Sequence, residues 1–162
     1  MTEPEGATWR ERSMSRVFDA PRDVVWRAWT EPEQVALWWG PRGMTVPLES
    51  IEMDVREGGV FRLTMVADGS GAEFASDMYF REVVEPERLV WAWDAQRNLG
   101  SGSVTVTFKD LGERTEVTAD FAGFATDELF AGSEVGWEGQ LEKLATYLAE
   151  RTNNRQEGKW ER

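Results

Sequence analysis

A long amphipathic helix near the C-terminus most constrains how this chain can fold. Residues 126–151 carry apolar side chains at helical spacing, and at about 100° per residue these fall within an arc of about 60°. The stripe consists of Phe130, Trp137, Leu141, Leu144 and Leu148. Since a helix of this length cannot bury such a stripe by itself, a broad apolar surface must lie against it.

The segments before the helix predict that this surface is a β-sheet. Apolar and polar side chains alternate there in short runs separated by turn residues, which is typical of strands with one buried face. A first strand over 12–20 is followed by two short helices that begin near Pro21 and Thr30,. We place the later strands at 46–56, 59–67, 73–84, 87–94, 101–109 and 113–122.

This order of elements predicts an α+β fold of the helix-grip type. We expect an antiparallel sheet of about six to seven strands wrapped around the long C-terminal helix, with two short helices between strands 1 and 2. The 162 residues are enough for one domain with its own core,. We place that domain at residues 12–150 and expect flexible tails at 1–11 and 152–162, because both ends lack periodicity,.

Composition excludes several kinds of chemistry. The chain has no histidine and no cysteine, which excludes Ser–His and Cys–His pairs, disulfides and Cys-ligated zinc. Its net charge of −12 would repel nucleic acid and anionic membranes, and no apolar segment is long enough for a signal or a membrane span. We therefore expect a cytoplasmic protein with no cofactor, no metal, no nucleic-acid partner and no membrane partner.

Five segments of the chain resemble one known family. They are FDAPRDVVWRAWTEPEQVALWWGP (18–41), DVREGGVFRL (54–63), EVVEPERLVWAW (82–93), SVTVTFKD (103–110) and GWEGQLEKLATYLAE (136–150). Over residues 12–150 the chain is similar to the bacterial family homologous to the C-terminal domain of the activator of Hsp90 ATPase, in the START and Bet v 1-like superfamily. The resemblance implies a hydrophobic cavity between the sheet and the C-terminal helix, and it supplies no catalytic residues.

The resemblance leaves three functions open. Family members are mostly described as binders of small apolar ligands or remain uncharacterised, superfamily relatives include lipid carriers and polyketide cyclases, and the eukaryotic namesake stimulates a chaperone ATPase. We expect a small apolar or aromatic molecule as the partner. The alternatives are a chaperone or other protein partner, and an enzyme of cyclase or hydrolase type that uses a carboxylate. The chain is expected to be a monomer or a homodimer.

The inner face of the predicted sheet and the helix stripe supply the candidate ligand-binding residues. They are Phe61, Met65, Met78, Phe80, Trp91, Trp93, Trp137, Gln140, Leu141 and Leu144. Trp91 and Trp93 are bulky for a dry core, and core packing is the alternative for each apolar residue. Gln140 lies at the edge of the stripe, where its amide could contact a ligand, whereas we expect Tyr147 to be exposed to solvent.

Two further positions each have two interpretations. Trp38-Trp39 either closes one end of the core or forms a wall at the mouth of the cavity. Glu82 falls in the inner phase at a strand end, where a buried carboxylate could act as a general acid or base, and a water-exposed position is the alternative. Three glycines in the helix indicate close backbone approach, a ligand or an irregular turn: Gly132, Gly136 and Gly139.

Overall fold

An antiparallel sheet carries three helices on one of its faces in the computed structural model, which describes residues 3–98 and 100–156 and side chains through Arg151. The predicted tail residues 157–162 lie outside the described residues. The elements are β1 (Thr8–Phe18), α1 (Arg22–Thr30), α2 (Pro32–Trp38), β2 (Met44–Thr45), β3 (Glu52–Met53), β4 (Val60–Ala67), β5 (Glu73–Val84), β6 (Arg88–Trp93), β7 (Gly102–Asp110), β8 (Thr115–Ala125) and α3 (Asp127–Gln156).

The strands of the described residues form one sheet of eight. Its order is β1-β8-β7-β6-β5-β4-β2, with β3 also paired to β4. Each pair is antiparallel, and the long β5–β6–β7–β8 run is the meander that the spacing of turns predicts. The α+β helix-grip fold, with two short helices after the first strand and a long helix at the end, is therefore confirmed.

The predicted strand over 46–56 is wrong as a continuous element. It divides into β2 and β3 with a 3-10 turn at Leu48–Ser50 between them, which raises the strand count above the predicted six to seven. Pro47 cannot donate a backbone hydrogen bond to a ladder. The Ser50 hydroxyl donates to the Pro47 carbonyl at 2.7 Å and accepts from the Thr64 amide at 3.2 Å, so a side chain replaces the missing ladder contact.

Secondary structure extends beyond the predicted bounds of the domain at both ends. β1 begins at Thr8, which pairs with Ala125, so the predicted tail over 1–11 is wrong for residues 8–11. α3 continues through Gln156, past the predicted end at Arg151. Once a helix is nucleated, each further residue adds a hydrogen bond without needing an apolar stripe, which is why the polar sequence after 151 can continue the helix.

Trp29 of α1 occupies the centre of the core and is 1% exposed. Its ring centroid lies within 4.7–6.2 Å of five other aromatic rings: Trp38, Trp39, Trp91, Phe108 and Trp137. These rings belong to α2, the loop after it, β6, β7 and α3. Aromatic pairs of this kind contribute roughly 0.5–1.5 kcal/mol each beyond the burial of their area, so Trp29 joins the helices to the sheet.

The C-terminal half of α3 packs into this core through Leu144 and Leu148, which are 0% and 2% exposed. Tyr147 is also buried, so the expectation that it faces solvent is wrong. α2 packs beside this part of α3, and the Tyr147 hydroxyl donates to Oε1 of Gln34 at 2.8 Å. Burial raises the pKa of the Tyr147 hydroxyl, and Arg151 partly offsets that effect.

Leu144→Ala should lower the free energy of unfolding by about 2–5 kcal/mol, because it deletes buried methyl groups and leaves a cavity. Glu142→Ala, on the exposed side of the same helix, breaks only a solvent-exposed ion pair with Arg42 and should cost less than about 1 kcal/mol. Urea denaturation of the two variants measures both values. Equal losses in the two variants would contradict this assignment of the buried face.

Candidate ligand-binding cavity

A cavity of about 580 Å³ lies between the sheet and the N-terminal half of α3. β4, β5, β6 and β7 supply its sheet side, α3 supplies residues 132–140, and the loop after α2 supplies Trp39 and Pro41. The lining residues are Trp39, Pro41, Met65, Phe74, Ala75, Ser76, Met78, Trp91, Trp93, Asn98, Val104, Gly132, Ser133, Gly136, Trp137 and Gln140. Phe74 is 48% exposed and marks the side on which the cavity meets solvent.

Four tryptophan rings contribute to the cavity wall. The Trp91 and Trp137 rings lie 6.3 Å apart and nearly parallel, inclined by 20°, and Trp39 contacts Trp91 at 5.7 Å. Trp93 stacks on Phe121 of β8 at 6.0 Å. Because each ring is packed against another, the wall is held in place before any ligand arrives, which reduces the ordering cost of binding.

Small residues keep the space between these rings open. Ser76 occupies an inward position of β5 between Phe74 and Met78, and Gly132 and Gly136 replace larger side chains on the facing surface of α3. A Cβ at Gly132 would meet no atom within 4 Å, and one at Gly136 would meet only Pro41 at 3.6 Å. Each glycine costs the helix about 1 kcal/mol relative to alanine, and the structure shows open volume at these positions.

Six of the ten predicted ligand-binding residues line this cavity, namely Met65, Met78, Trp91, Trp93, Trp137 and Gln140. The cavity placement of Phe61, Phe80 and Leu144 is wrong. Phe61 and Phe80 stack on each other at 5.1 Å and are 1% exposed. Trp39 packs over Phe61 at 5.3 Å, so the aromatic side chains around α1 and α2 fill that end of the sheet and turn it into core.

Leu141 is also misplaced by the prediction. It follows Gln140 by one residue, a rotation of about 100° around the helix, and therefore points away from the cavity. Its side chain is 5% exposed and borders a separate surface depression with Met14 and Arg16 of β1.

The two interpretations of the Trp38-Trp39 pair each apply to one residue. Trp38 is fully buried, and its indole N–H donates to the Ala28 carbonyl at 3.0 Å, so it is core. Trp39 lines the cavity. The backbone extends at Trp39, where α2 ends, and this change of direction sends the two adjacent rings to different places.

Several lining residues were not among the predicted set. Phe74 and Ser76 share the inward phase of β5 with Met78, so the alternation contained a signal for them. Asn98 had none, because it lies in a loop. Its amide fixes the loop to β5 by accepting from the Asp77 backbone N–H at 3.2 Å and donating to the Asp77 carbonyl at 2.9 Å.

Glu82 lies outside the cavity because of a β-bulge. Phe80 pairs with Trp91 and Glu82 pairs with Val90, so Arg81 is an extra residue in the ladder. The bulge reverses the alternation and moves Glu82 from the predicted inner phase to the opposite face. There its side chain is 40% exposed and forms an ion pair with Arg88, which is the water-exposed alternative.

No lining residue that the structure describes carries a charge or titrates near neutral pH. The described residues also contain no group of three Asp or Glu side chains placed to hold a metal ion. The polar groups of the wall are amides, hydroxyls and indole N–H groups. Such a surface can accommodate an uncharged molecule without burying an unpaired charge.

Two polar side chains of α3 hold the loop that carries Trp39. The Lys143 ammonium donates to the carbonyl oxygens of Trp39, Gly40 and Met44 at 3.1, 3.3 and 3.1 Å. Oε1 of Gln140 accepts the Gly40 backbone N–H at 2.8 Å. Burial lowers the pKa of Lys143, and the nearby Asp68 carboxylate partly offsets that effect. These contacts of Gln140 and Lys143, here called the clamp, attach the loop that carries Trp39 to α3, which covers the cavity.

The helix-grip fold with a cavity under the C-terminal helix defines the structural class of the protein. Residues 19–149 match the family described as Activator of Hsp90 ATPase homolog 1-like protein. The chain belongs to this family, which confirms the resemblance seen in the sequence. No curated protein matches the chain.

Solved bacterial structures share the fold. A protein of Chromobacterium violaceum is 27% identical with a TM-score of 0.75, over 85% of this chain and 96% of that one. A protein of Nitrosomonas europaea is 25% identical with a TM-score of 0.75, over 88% and 96%. The AHSA1 protein of Silicibacter pomeroyi is 24% identical with a TM-score of 0.75, over 88% and 99%, and shows the fold alone.

None of the helices among the described residues has both the length and the apolar character that crossing a membrane requires.

Lys143→Met should lower the free energy of unfolding by about 1–3 kcal/mol, because it leaves buried carbonyl oxygens without their charged donor. Lys109→Met is the matched control. Lys109 is exposed at the end of β7, so its replacement should change stability by less than about 0.5 kcal/mol. Urea denaturation gives both values, and indistinguishable stabilities for the two variants would show that the clamp contributes nothing.

Proposed function

We propose that this protein binds a small, uncharged, apolar or aromatic molecule in the cavity under α3. The observation that carries the proposal is a volume of about 580 Å³ bounded by four tryptophans among its described lining residues, with no charged side chain among them. Ordinary ligand sites occupy roughly 300–1,000 Å³ and have mostly apolar walls with a few polar groups. The cavity has the size and the lining of such a site.

The lining favours binding over acid–base catalysis. General acids and bases in enzymes are ionisable side chains within hydrogen-bond reach of the reacting atoms. The carboxylate that the sequence offers for this role, Glu82, is on the opposite face of the sheet and is paired with Arg88. A carboxylate-dependent cyclase or hydrolase therefore has no support from the described residues of this cavity.

A co-chaperone role is the second candidate, and membership in the family named for an activator of Hsp90 ATPase favours it. With a net charge of −12, docking to a protein partner would depend on charge and would weaken as salt rises. Binding of a neutral molecule in an uncharged cavity should not depend on salt. Docking to a protein partner that weakens as salt rises would indicate the co-chaperone role, whereas a neutral ligand bound with the same Kd at low and high salt would indicate the ligand-binding role.

Titration with N-phenyl-1-naphthylamine, a neutral dye that fluoresces in apolar surroundings, tests the proposal. The wild type should bind it with a Kd that is the same at low and high salt. Trp93→Ala should weaken binding at least about fivefold, or about 1 kcal/mol of lost aromatic contact. The matched control is Trp9→Ala, because Trp9 is 53% exposed and lies outside the cavity. It should bind as the wild type does.

Gly132→Leu keeps the test decisive if Trp93→Ala is unstable. Leucine is a better helix former than glycine by about 1 kcal/mol, and a Cβ at this position meets no atom within 4 Å. The larger side chain should occupy the cavity and reduce dye binding without loss of stability. Ala131→Leu, at the exposed neighbouring position, should leave dye binding unchanged. Absence of dye binding by the folded wild type would contradict the proposal.

A further inference from the structure

Gln140 is 5% exposed and forms part of the cavity wall. Its Oε1 accepts the Gly40 backbone N–H at 2.8 Å. A backbone N–H can only donate, so the oxygen must be the amide atom that faces Gly40, and the nitrogen must face the other way. The hydrogen bond therefore fixes the orientation of the amide.

Nε2 of Gln140 is buried and has no hydrogen-bond partner among the described residues. Buried polar groups in folded proteins are nearly always paired, and one without a partner in the protein calls for an explanation. Among the described residues that line the cavity, Gln140 is the one with a buried side-chain nitrogen or oxygen that has no hydrogen-bond partner. A ligand that brings a hydrogen-bond acceptor into the cavity would satisfy it.

Two other side-chain donors around the cavity, those of Asn98 and Ser133, are engaged within the protein. Asn98 uses Nδ2 for the carbonyls of Asp77 and Asp94 at 2.9 and 3.1 Å. The Ser133 hydroxyl donates to the Phe130 carbonyl at 2.9 Å. By contrast, Nε2 of Gln140 has two hydrogens to give and a position fixed by the bond to Gly40, so little side-chain freedom is lost when it binds an acceptor.

We propose, on the basis of the function proposed above, that the ligand is a neutral aromatic molecule bearing an acceptor oxygen such as a ketone, and that Gln140 Nε2 donates to that oxygen. Trp137 lies three residues before Gln140, and Gly136 lies four residues before it. The three residues therefore share one face of α3. This spacing lets an aromatic frame lie along the Trp137 ring while its oxygen reaches the amide one helical turn away.

A pair of probes of the same shape tests the inference. 2-Acetylnaphthalene carries a carbonyl oxygen, and 2-isopropenylnaphthalene has a CH2 group in its place. Displacement of N-phenyl-1-naphthylamine gives the Kd of each. In the wild type the ratio of the alkene Kd to the ketone Kd should be about three- to tenfold higher than in Gln140→Met, which corresponds to one hydrogen bond.

The ratio remains informative if Gln140→Met is less stable, because the loss of the Gly40 contact affects both probes alike. Gln34→Met is the matched control, since Gln34 is also a buried glutamine, 6% exposed, and lies outside the cavity. It should retain the wild-type ratio. An equal ratio in the wild type and Gln140→Met would overturn the role of Gln140 while cavity binding stands. Failure of both probes and the dye to bind the folded wild type would overturn the proposed function itself.

Discussion

The attachment of α3 at both of its ends is the constraint on which the rest of the structure depends. Towards its C-terminus, Leu144 and Leu148 are buried in the core. Towards its N-terminus, the Arg12 side chain donates to the Phe130 carbonyl and to the Ser133 hydroxyl, and it lies 3.9 Å from the centroid of the Phe130 ring. Arg10 adds an ion pair with Asp127. The helix between these attachments spans the sheet without filling the space beneath it.

The aromatic core and the cavity wall are parts of the same ring network. Trp29 contacts Trp91 and Trp137, and these two rings also face the open volume. Core packing thus fixes the geometry of the binding surface, and the same contacts that stabilise the fold keep the wall rigid. No acidic side chain among the described residues lines the cavity, although the chain carries a net charge of −12.

The sequence predicted the parts of the site that follow from periodicity. The alternation on β5 and β6 identified Met78, Trp91 and Trp93, because a half-buried strand presents every second residue to the same side. It misplaced Glu82, since one extra residue in a ladder reverses the phase and leaves no composition signal. Asn98 also required the structure, because tertiary hydrogen bonds alone bring its loop to the cavity.

Which inward residues face open space and which face other side chains depended on helix placement. Phe61 and Met78 share the inner face of the sheet. Trp39 covers the Phe61 ring, whereas the Met78 side chain borders the cavity. Periodicity reports only the direction of a side chain. The packing of α1 and α2 decides what that side chain meets, and the same packing buries Tyr147 against α2.

If a neutral aromatic molecule enters the space under α3, the indole N–H signals of the tryptophans that line this space report its binding directly. In ¹H–¹⁵N spectra of the ¹⁵N-labelled protein, assigned by single Trp→Phe substitutions, saturating 2-acetylnaphthalene should shift the indole N–H signals of the cavity residues Trp39, Trp91, Trp93 and Trp137. The signal of Trp9, which lies outside the cavity, should stay in place. Shifts confined to Trp9, or unchanged cavity signals at saturating ligand, would contradict the account.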